Sequence, residues 1–253
     1  MLSQDATLSR YSQEWFEQEY LPSYGIDPQQ PSIAPLAGRY HHELAPLERF
    51  RQNGRLLDVG AGAGLFLAAA QATGWDVAGV EIAEYGSIYA RKYFGLSIYH
   101  GTLAQAKFPD NYFDVVMLQD TIEHVSDPRG LLQEVCRIVR PGGATVLTTP
   151  NFDSLSRHLI GCQWALISPA EHVHLFNRQS LRYVLETTGF ILYALVSDAN
   201  TNLNLIHGPK NLPIKISQKL LQLTSKSLTS SLLYKLVLGD ELHAVAVKPI
   251  VPY

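Results

Sequence analysis

Sulfur-containing residues are scarce in this sequence, which has two cysteines and two methionines among 253 residues. Cys136 and Cys162 lie far apart and lack the spacing of metal ligands, so we expect reduced, buried thiols and a cytoplasmic location. The sequence also lacks a basic amino-terminal stretch followed by an apolar segment, and it has no run of about 18 apolar residues. We therefore expect neither a signal peptide nor a membrane span.

The chain also lacks an excess of positive charge. Lysine and arginine total 20 against 23 acidic residues, which gives a net charge of -3 and a pI near 6.3. This balance argues against a general nucleic-acid binder, which would carry a basic surface. With 46% apolar and 17% charged residues the chain can bury a globular core, and its length fits one large α/β domain.

Short apolar runs alternate with helical patterns through the middle of the chain. The runs are partly β-branched, as is typical of strands that are buried on both faces. The predicted strands cover residues 55–59, 77–80, 97–99, 113–118, 144–148, 190–196 and 242–247, and predicted helices between them cover 65–72, 84–94 and 128–139. This order predicts a Rossmann-like α/β fold with a doubly wound, parallel sheet and right-handed crossovers.

Further segments flank or interrupt this core. We divide the single domain into an N-terminal helical cap over 1–52, a core over 53–198 and 240–253, and a helical insertion over 199–239. Within the cap, helices are predicted at 8–20 and 39–51, and Pro22 is expected to interrupt the first of them.

The insertion is rich in leucine and lysine and contains no acidic residue; its lysines are Lys210, Lys215, Lys219, Lys226 and Lys235. Its leucines recur at near-helical intervals, so an apolar face can pack on the domain while the lysines face solvent. A basic amphipathic helix can also make peripheral contact with an anionic membrane surface or bind an anionic substrate. Both interpretations stay open.

The densest cluster of glycines follows the first predicted strand. Asp58 ends that strand, and Gly60, Gly62 and Gly64 follow in a turn that opens a helix. Glycines there allow positive φ angles and let the backbone approach a nucleotide-like ligand at the carboxyl ends of the strands. A dinucleotide-binding fingerprint, GxGxxG, requires a glycine at the sixth position counted from Gly60, and that position is Leu65, so the fingerprint is not met.

The spacing of Asp58 and these glycines resembles the first motif of class I S-adenosylmethionine-dependent methyltransferases, (D/E)xGxGxG. The resemblance implies a seven-stranded sheet that is mostly parallel with one antiparallel strand. It also implies that the turn, with Ala61 and Phe66, lies along the methionine part of S-adenosylmethionine. S-adenosylhomocysteine is then the expected product.

Glu81 ends the next predicted strand, about 20 residues beyond the glycine turn. A carboxylate there can accept hydrogen bonds from both hydroxyls of a ribose, although it would serve NAD equally well. The resemblance assigns Glu81 to the ribose and Ile82 to the adenine. Many family members carry Asp at the position of Thr102, so in this chain the adenine contact passes to Thr102 or to the backbone of Leu103.

A second resemblance covers residues 108–125, which contain a PDxxFD turn, a buried strand and an EHV sequence. This pattern is typical of methyltransferase subfamilies that include ubiquinone-biosynthesis enzymes. The strand would deliver Gln119 and Asp120 to the sheet edge that carries the glycine turn, and His124 would lie close to the cofactor. Residues 241–248 extend the resemblance.

Methyl transfer requires an acceptor lone pair in line with the methyl group, and a hydroxyl acceptor also needs a base. The candidate bases are His124, His172 and His174, and the last two alternate, so an extended backbone would point them the same way. Glu171 is the only acidic neighbour of that pair, so no metal is expected.

The acceptor pocket is assigned to Tyr40, His41, Trp164, Glu171 and His172. Its aromatic and apolar lining predicts a small, partly hydrophobic acceptor, with O-methylation favoured over N- or C-methylation. An alternative of another class is a non-catalytic cofactor-binding or scaffold protein, because a fold does not establish an activity. The alternative enzyme is an NAD-dependent oxidoreductase.

Overall fold

The computed structural model describes residues 11–169, 171–197 and 238–250, which form a seven-stranded sheet of order β3-β2-β1-β4-β5-β7-β6. The strands are β1 Arg55–Val59, β2 Asp76–Glu81, β3 Ile98–His100, β4 Phe113–Gln119, β5 Val139–Pro150, β6 Ile191–Ser197 and β7 Glu241–Val247. The main helices are α1 Ala37–Leu44, α2 Leu65–Ala72, α3 Glu84–Phe94, α4 Leu103–Ala106, α5 Pro128–Ile138, α6 Leu155–Ile160 and α7 Arg178–Thr187.

Strands β1 to β5 are parallel to one another, whereas β7 is antiparallel to both of its neighbours, β5 and β6. The predicted Rossmann-like sheet, mostly parallel with one reversed strand, is therefore confirmed. Pro150 of β5 pairs with Glu241 of β7, so the first residues of β7 lie at the carboxyl edge of the parallel strands. This reversal brings residues from the end of the chain to the edge that carries the glycine turn.

Consecutive strand residues bury their side chains on opposite faces of the sheet. Leu56 and Leu57 of β1 are both fully buried, and they belong to different core clusters. Leu56 shares its cluster with Leu67 of α2, and Leu57 shares the other with Leu132 of α5. Each such leucine contributes about 1.5–3 kcal/mol by leaving water, which explains why the strands are continuous apolar runs.

Asp114, the last residue of the PDxxFD turn, holds the loop that precedes β1 by hydrogen bonds. Its Oδ2 accepts hydrogen bonds from the backbone N–H groups of Gln52, Asn53 and Gly54 at 3.0, 2.7 and 2.6 Å. Arg140 Nε donates to its Oδ1 at 2.5 Å. Burial opposes ionisation, but Arg140 and the backbone donors outweigh it and hold the pKa of Asp114 below its ordinary value. This motif residue is therefore structural.

The helical segment before α1 differs from the predicted one. It comprises Gln13–Trp15, a π-helical stretch Phe16–Tyr20 and Leu21–Ser23, which follow one another without a break. Pro22 does not interrupt it as predicted, and the segment ends one residue later, at Ser23. The helix predicted at 39–51 is α1 followed by a 3-10 helix, Ala45–Phe50.

The junction between β6 and β7 is fastened by hydrogen bonds. Gly239 N donates to Ser197 Oγ at 2.9 Å, and Asn151 Nδ2 donates to Gly239 O at 2.8 Å. Residues 198–237, which include nearly all of the predicted insertion, lie outside the described residues. No helix in the described part of the chain is long and apolar enough to span a membrane.

Both cysteines are free thiols. The prediction that both are buried is wrong for Cys162, which is exposed because it lies in a surface 3-10 turn, Gly161–Gln163. Cys136 is partly buried.

Candidate active site

The turn after β1 requires glycine for conformation and for space. Gly60, Gly62 and Gly64 have φ angles of +84°, +54° and +76°, which residues with a Cβ rarely adopt. A Cβ on Gly60 would lie 2.5 Å from Thr121 Oγ1, and one on Gly64 would lie 2.5 Å from Leu96 Cδ1. Gly64 also precedes the first residue of α2, so the free amides of that helix begin at the turn.

Backbone amides hold the Glu81 carboxylate at the end of β2. Gly62 N donates to Oε2 and Ala83 N donates to Oε1, both at 2.6 Å. Burial raises the pKa of Glu81, although these hydrogen bonds and His100 oppose the shift. Each oxygen keeps a second lone pair, so a carboxylate that is already oriented can still accept hydrogen bonds from a ribose.

Asp58 is buried beside the same turn and is 3% exposed. Its Oδ1 has no hydrogen-bond partner among the described residues. Burial, together with Glu81 and Glu43, raises the pKa of Asp58 to about 7. An unsatisfied buried acceptor costs about 1–3 kcal/mol, and a buried carboxyl with a shifted pKa is typical of functional sites. The described residues therefore provide no donor for this buried acceptor.

Three residues assigned to the adenine lie in different settings. Ile82 follows Glu81 and is 39% exposed, so its side chain is open to a flat ligand. Thr102 is occupied at the start of α4, where its N–H and hydroxyl both donate to Gln105 Oε1 at 2.9 Å. Leu103 is buried in the core, so it offers a ligand only its backbone. Their contact with adenine stays a prediction.

Gln119 and Asp120 lie at the carboxyl end of β4. Gln119 Nε2 donates to Glu43 Oε2 at 3.0 Å, which links β4 to α1. Asp120 has a φ of +46°, and Thr148 Oγ1 donates to its Oδ1 at 3.1 Å. Surrounding protein and the neighbouring Glu241 raise the pKa of Asp120 to about 7, although water reaches the residue. Both side chains therefore border the same sheet edge as the glycine turn.

His124 and His172 face each other, with ring centroids 5.0 Å apart. Nδ1 of His124 lies 2.8 Å from the carbonyl oxygen of Glu171, and Nδ1 of His172 lies 2.7 Å from that of Leu166. Because a carbonyl only accepts, each Nδ1 donates in its hydrogen bond, and in a neutral ring Nε2 is then the acceptor. Burial lowers the pKa of His124, which favours its neutral form.

Glu123 lies beneath this pair and is 1% exposed. Its Oε1 is 3.9 Å from His124 Nε2, and Thr149 Oγ1 donates to its Oε2 at 2.9 Å. Burial raises the pKa of Glu123 to about 8, so the carboxyl is mainly protonated at neutral pH. The ligand-type atoms of Glu123, His124 and His172 lie within 4.8 Å of one another. A metal bound here would have to displace the carboxyl proton, and the expectation that no metal binds stays a prediction.

The remaining predicted site residues differ from this pair and from one another in burial and in partners. His174 Nε2 lies 3.5 Å from the carbonyl oxygen of Ser126, so its ring has a different partner from that of His172. His41 is exposed on α1. Those of the remaining residues that are buried, at 6% exposure or less, are Tyr40, Ala61, Phe66 and Trp164. Tyr40 packs edge to face on Phe66 in the core, with centroids 5.7 Å apart.

The structure adds four residues that the sequence patterns did not identify. Tyr20 and Glu43 come from the N-terminal cap, and their sequence carries no signal of where the cap lies on the core. Glu241 and His243 occupy one face of β7, with His243 Nε2 3.4 Å from Glu241 Oε2. Their alternation in a strand is a signal that could have found them.

Comparison with known proteins identifies the chain at the family level. The family described as "Methyltransferase domain" matches residues 29–195, more than half of the chain. A ubiquinone biosynthesis O-methyltransferase from Roseobacter denitrificans is 31% identical over 158 residues, which cover 59% of this chain and 63% of that protein. Its counterpart from Maricaulis maris is 29% identical over 203 residues, covering 74% and 79%.

Solved structures share the fold at low identity. A SAM-dependent methyltransferase from Archaeoglobus fulgidus aligns with a TM-score of 0.61 at 20% identity, covering 94% of this chain and 100% of that one. A putative sarcosine dimethylglycine methyltransferase from Galdieria sulphuraria aligns with 0.62 at 16%, covering 92% and 98%. Together with the family match, the glycine turn and the acidic strand ends, these findings show that the chain belongs to the methyltransferase domain family, with the class I S-adenosylmethionine-dependent fold.

Proposed function

We propose that this protein transfers a methyl group from S-adenosylmethionine to a hydroxyl of a small, partly hydrophobic acceptor. The observation that carries the proposal is that Asp58 Oδ1, which has no partner among the described residues, and the oriented Glu81 carboxylate both lie at the glycine turn. Relatives named ubiquinone biosynthesis O-methyltransferases support oxygen as the methylated atom.

The residues at the turn fit this methyl donor. Glu81 is assigned to the ribose hydroxyls, Asp58 to the amino group of the methionine part, and Ile82 to the adenine. The sulfonium of the bound cofactor supplies an electrophilic methyl group. A cation beside Asp58 would lower its pKa and favour the carboxylate, so the buried acid is matched to a positively charged ligand.

Removal of the acceptor proton is assigned to the His124 and His172 pair. With each Nδ1 bound to a carbonyl, each Nε2 can accept a proton from a hydroxyl within hydrogen-bond reach. We place the acceptor beside Glu171 and His172, where water reaches both residues. Asp120 borders the same edge and is a second proton acceptor with a pKa of about 7. His174, with its separate partner, receives no part in this step.

Calorimetric titration with S-adenosylhomocysteine tests the cofactor assignment. We expect binding to the wild-type protein and a loss of affinity of at least about tenfold in Glu81→Ala, because the ribose loses a charged hydrogen-bond acceptor. Glu84→Ala is the matched control, since Glu84 is an exposed residue in the first turn of α3. Absence of binding to the wild-type protein would contradict the proposed function.

Incubation with methyl-labelled cofactor and a cell extract tests catalysis. We expect a labelled product, identified by mass, and a turnover reduced by about 100-fold in His172→Ala. The exposed His42 provides the control variant His42→Ala. Cofactor retention without any labelled product would favour a non-catalytic binding protein, and an unchanged turnover in His172→Ala would remove the histidine from the mechanism.

A further inference from the structure

The amino-terminal helical segment, residues 13–23, lies against the glycine turn; we call it the cover segment. A Cβ on Gly62 would lie 2.5 Å from the hydroxyl oxygen of Tyr20. A Cβ on Gly86, in the first turn of α3, would lie 2.8 Å from Phe16 Cζ and 2.8 Å from the Gly62 carbonyl oxygen. The cover segment therefore meets the turn and α3 at one place, and glycine at both positions makes room for it.

Hydrogen bonds and aromatic contacts hold the cover segment there. Tyr85 of α3 donates its hydroxyl to Glu17 Oε1 at 2.5 Å. Phe16 is 1% exposed, and its ring lies 5.6 Å from that of Tyr85 and 5.0 Å from that of Tyr20. Aromatic pairs of this kind contribute about 0.5–1.5 kcal/mol each beyond their buried area. The position of Tyr20 is thus defined by packing on α3.

Tyr20 lies near Glu81 and Asp58, the acidic residues of the proposed cofactor site. Burial, then neighbouring tyrosines, then Glu81 and Asp58 raise the pKa of Tyr20 well above its ordinary value, so the phenol keeps its proton. It occurs at the end of the π-helical stretch Phe16–Tyr20, and π-helical turns are frequent at functional sites. The buried Asp58 Oδ1, which lacks a partner in the described residues, is an independent sign that a ligand donor belongs here.

We propose that Tyr20 is a cofactor-binding residue and that the cover segment forms the outer wall of the cofactor site. This inference rests on the proposed function, since its ligand is S-adenosylmethionine or S-adenosylhomocysteine. The Tyr20 hydroxyl, adjacent to Gly62, hydrogen-bonds the bound ligand, and the buried ring of Phe16 keeps water from the glycine turn.

Calorimetry with S-adenosylhomocysteine on Tyr20→Phe tests the role of the hydroxyl. Loss of one hydrogen bond to a charged or polar ligand group is expected to weaken binding about tenfold. Tyr24→Phe removes a hydroxyl from the next turn of the chain, and its affinity is expected to stay within about twofold of wild type. Equal affinities of the wild-type protein and Tyr20→Phe would overturn the assignment of Tyr20.

Tryptophan emission provides a second readout that does not depend on activity. The Trp15 ring lies 5.3 Å from that of Tyr20, so ligand binding under the cover segment should change its emission. Trp15→Phe, which retains Tyr20, should lose this change while calorimetric binding persists. An emission change that persists in Trp15→Phe would overturn the placement of the cover segment. If Tyr20→Phe is unstable, this emission measurement tests the inference in its place.

The two proposals fail in different ways. If the wild-type protein binds no S-adenosylhomocysteine, the proposed function fails and the inference about Tyr20 fails with it. If the wild-type protein binds and neither Tyr20→Phe nor the emission of Trp15 responds, only the inference fails.

Discussion

Replacing Asp58 with Asn is expected to stabilise the free protein at alkaline pH and to weaken its binding of S-adenosylhomocysteine. Burial, Glu81 and Glu43 raise the pKa of Asp58 to about 7, so above that pH the site contains a buried carboxylate. Asn has nearly the same shape and carries no charge to desolvate. Residues that lower the stability of the folded protein but contribute to ligand binding are common at functional sites.

The magnitude of this effect follows from proton linkage. The Asp58 carboxyl titrates at its ordinary value of 3.8 in the unfolded chain and at about 7 in the folded protein. Between these values the folded state binds more protons, so wild-type stability falls as pH rises through this window. A difference of about three pKa units corresponds to about 4 kcal/mol, or a change of about 10 °C in thermal midpoint for a domain of this size.

Thermal unfolding at about pH 5 and about pH 8 measures this difference between the variant and the wild type. The advantage of Asp58→Asn in midpoint should grow between the two conditions, while calorimetry shows at least about tenfold weaker ligand binding. Asp76→Asn is the control, because the Asp76 side chain is 74% exposed. A midpoint difference that is the same at both pH values would refute the raised pKa.

Three further predictions concern the turn, the sheet and the insertion. Gly64→Ala should lower the free energy of unfolding by about 2–4 kcal/mol in urea denaturation, whereas Gly38→Ala, where a Cβ meets nothing within 4 Å, should not. Asp114→Asn should lower the free energy of unfolding by about 2–3 kcal/mol at neutral pH. Because the pKa of Asp114 is lowered in the folded protein, this difference from the wild type should shrink as the pH falls below about 4. A difference that stays constant with pH in urea denaturation would contradict this prediction. If the lysine-rich segment 199–239 contacts anionic membranes, the protein should co-sediment with anionic vesicles at low salt and dissociate at high salt; absence of binding at low salt would exclude a membrane role.

The cofactor side of the site could be predicted from the sequence because its signals are local. Gly60, Gly62 and Gly64 adopt the positive φ angles that their spacing implied, and Glu81 closes back on the turn through Gly62 N. The parallel part of the sheet could be predicted from apolar runs that alternate with helices, because parallel strands are buried on both faces.

The outer side of the site could not be predicted because it depends on contacts between distant residues. Tyr20 owes its position to packing between the cover segment and α3, and the hydrogen bond that anchors the segment joins residues 68 positions apart, Glu17 and Tyr85. Tyr40, assigned to the acceptor pocket by its aromatic character, packs on Phe66 in the core, and its contact with an acceptor stays a prediction. The sequence pattern of an aromatic residue is the same in both settings, so burial alone distinguishes them.

The hydrogen bond between Gly239 and Ser197 brings the exit of β6 and the entry of β7 to one point at the sheet edge. Because the entropy of closing a loop grows slowly with its length, segments of different length can join these two points without moving either strand. Recombination at this junction can therefore exchange one connecting segment for another while the sheet is inherited unchanged.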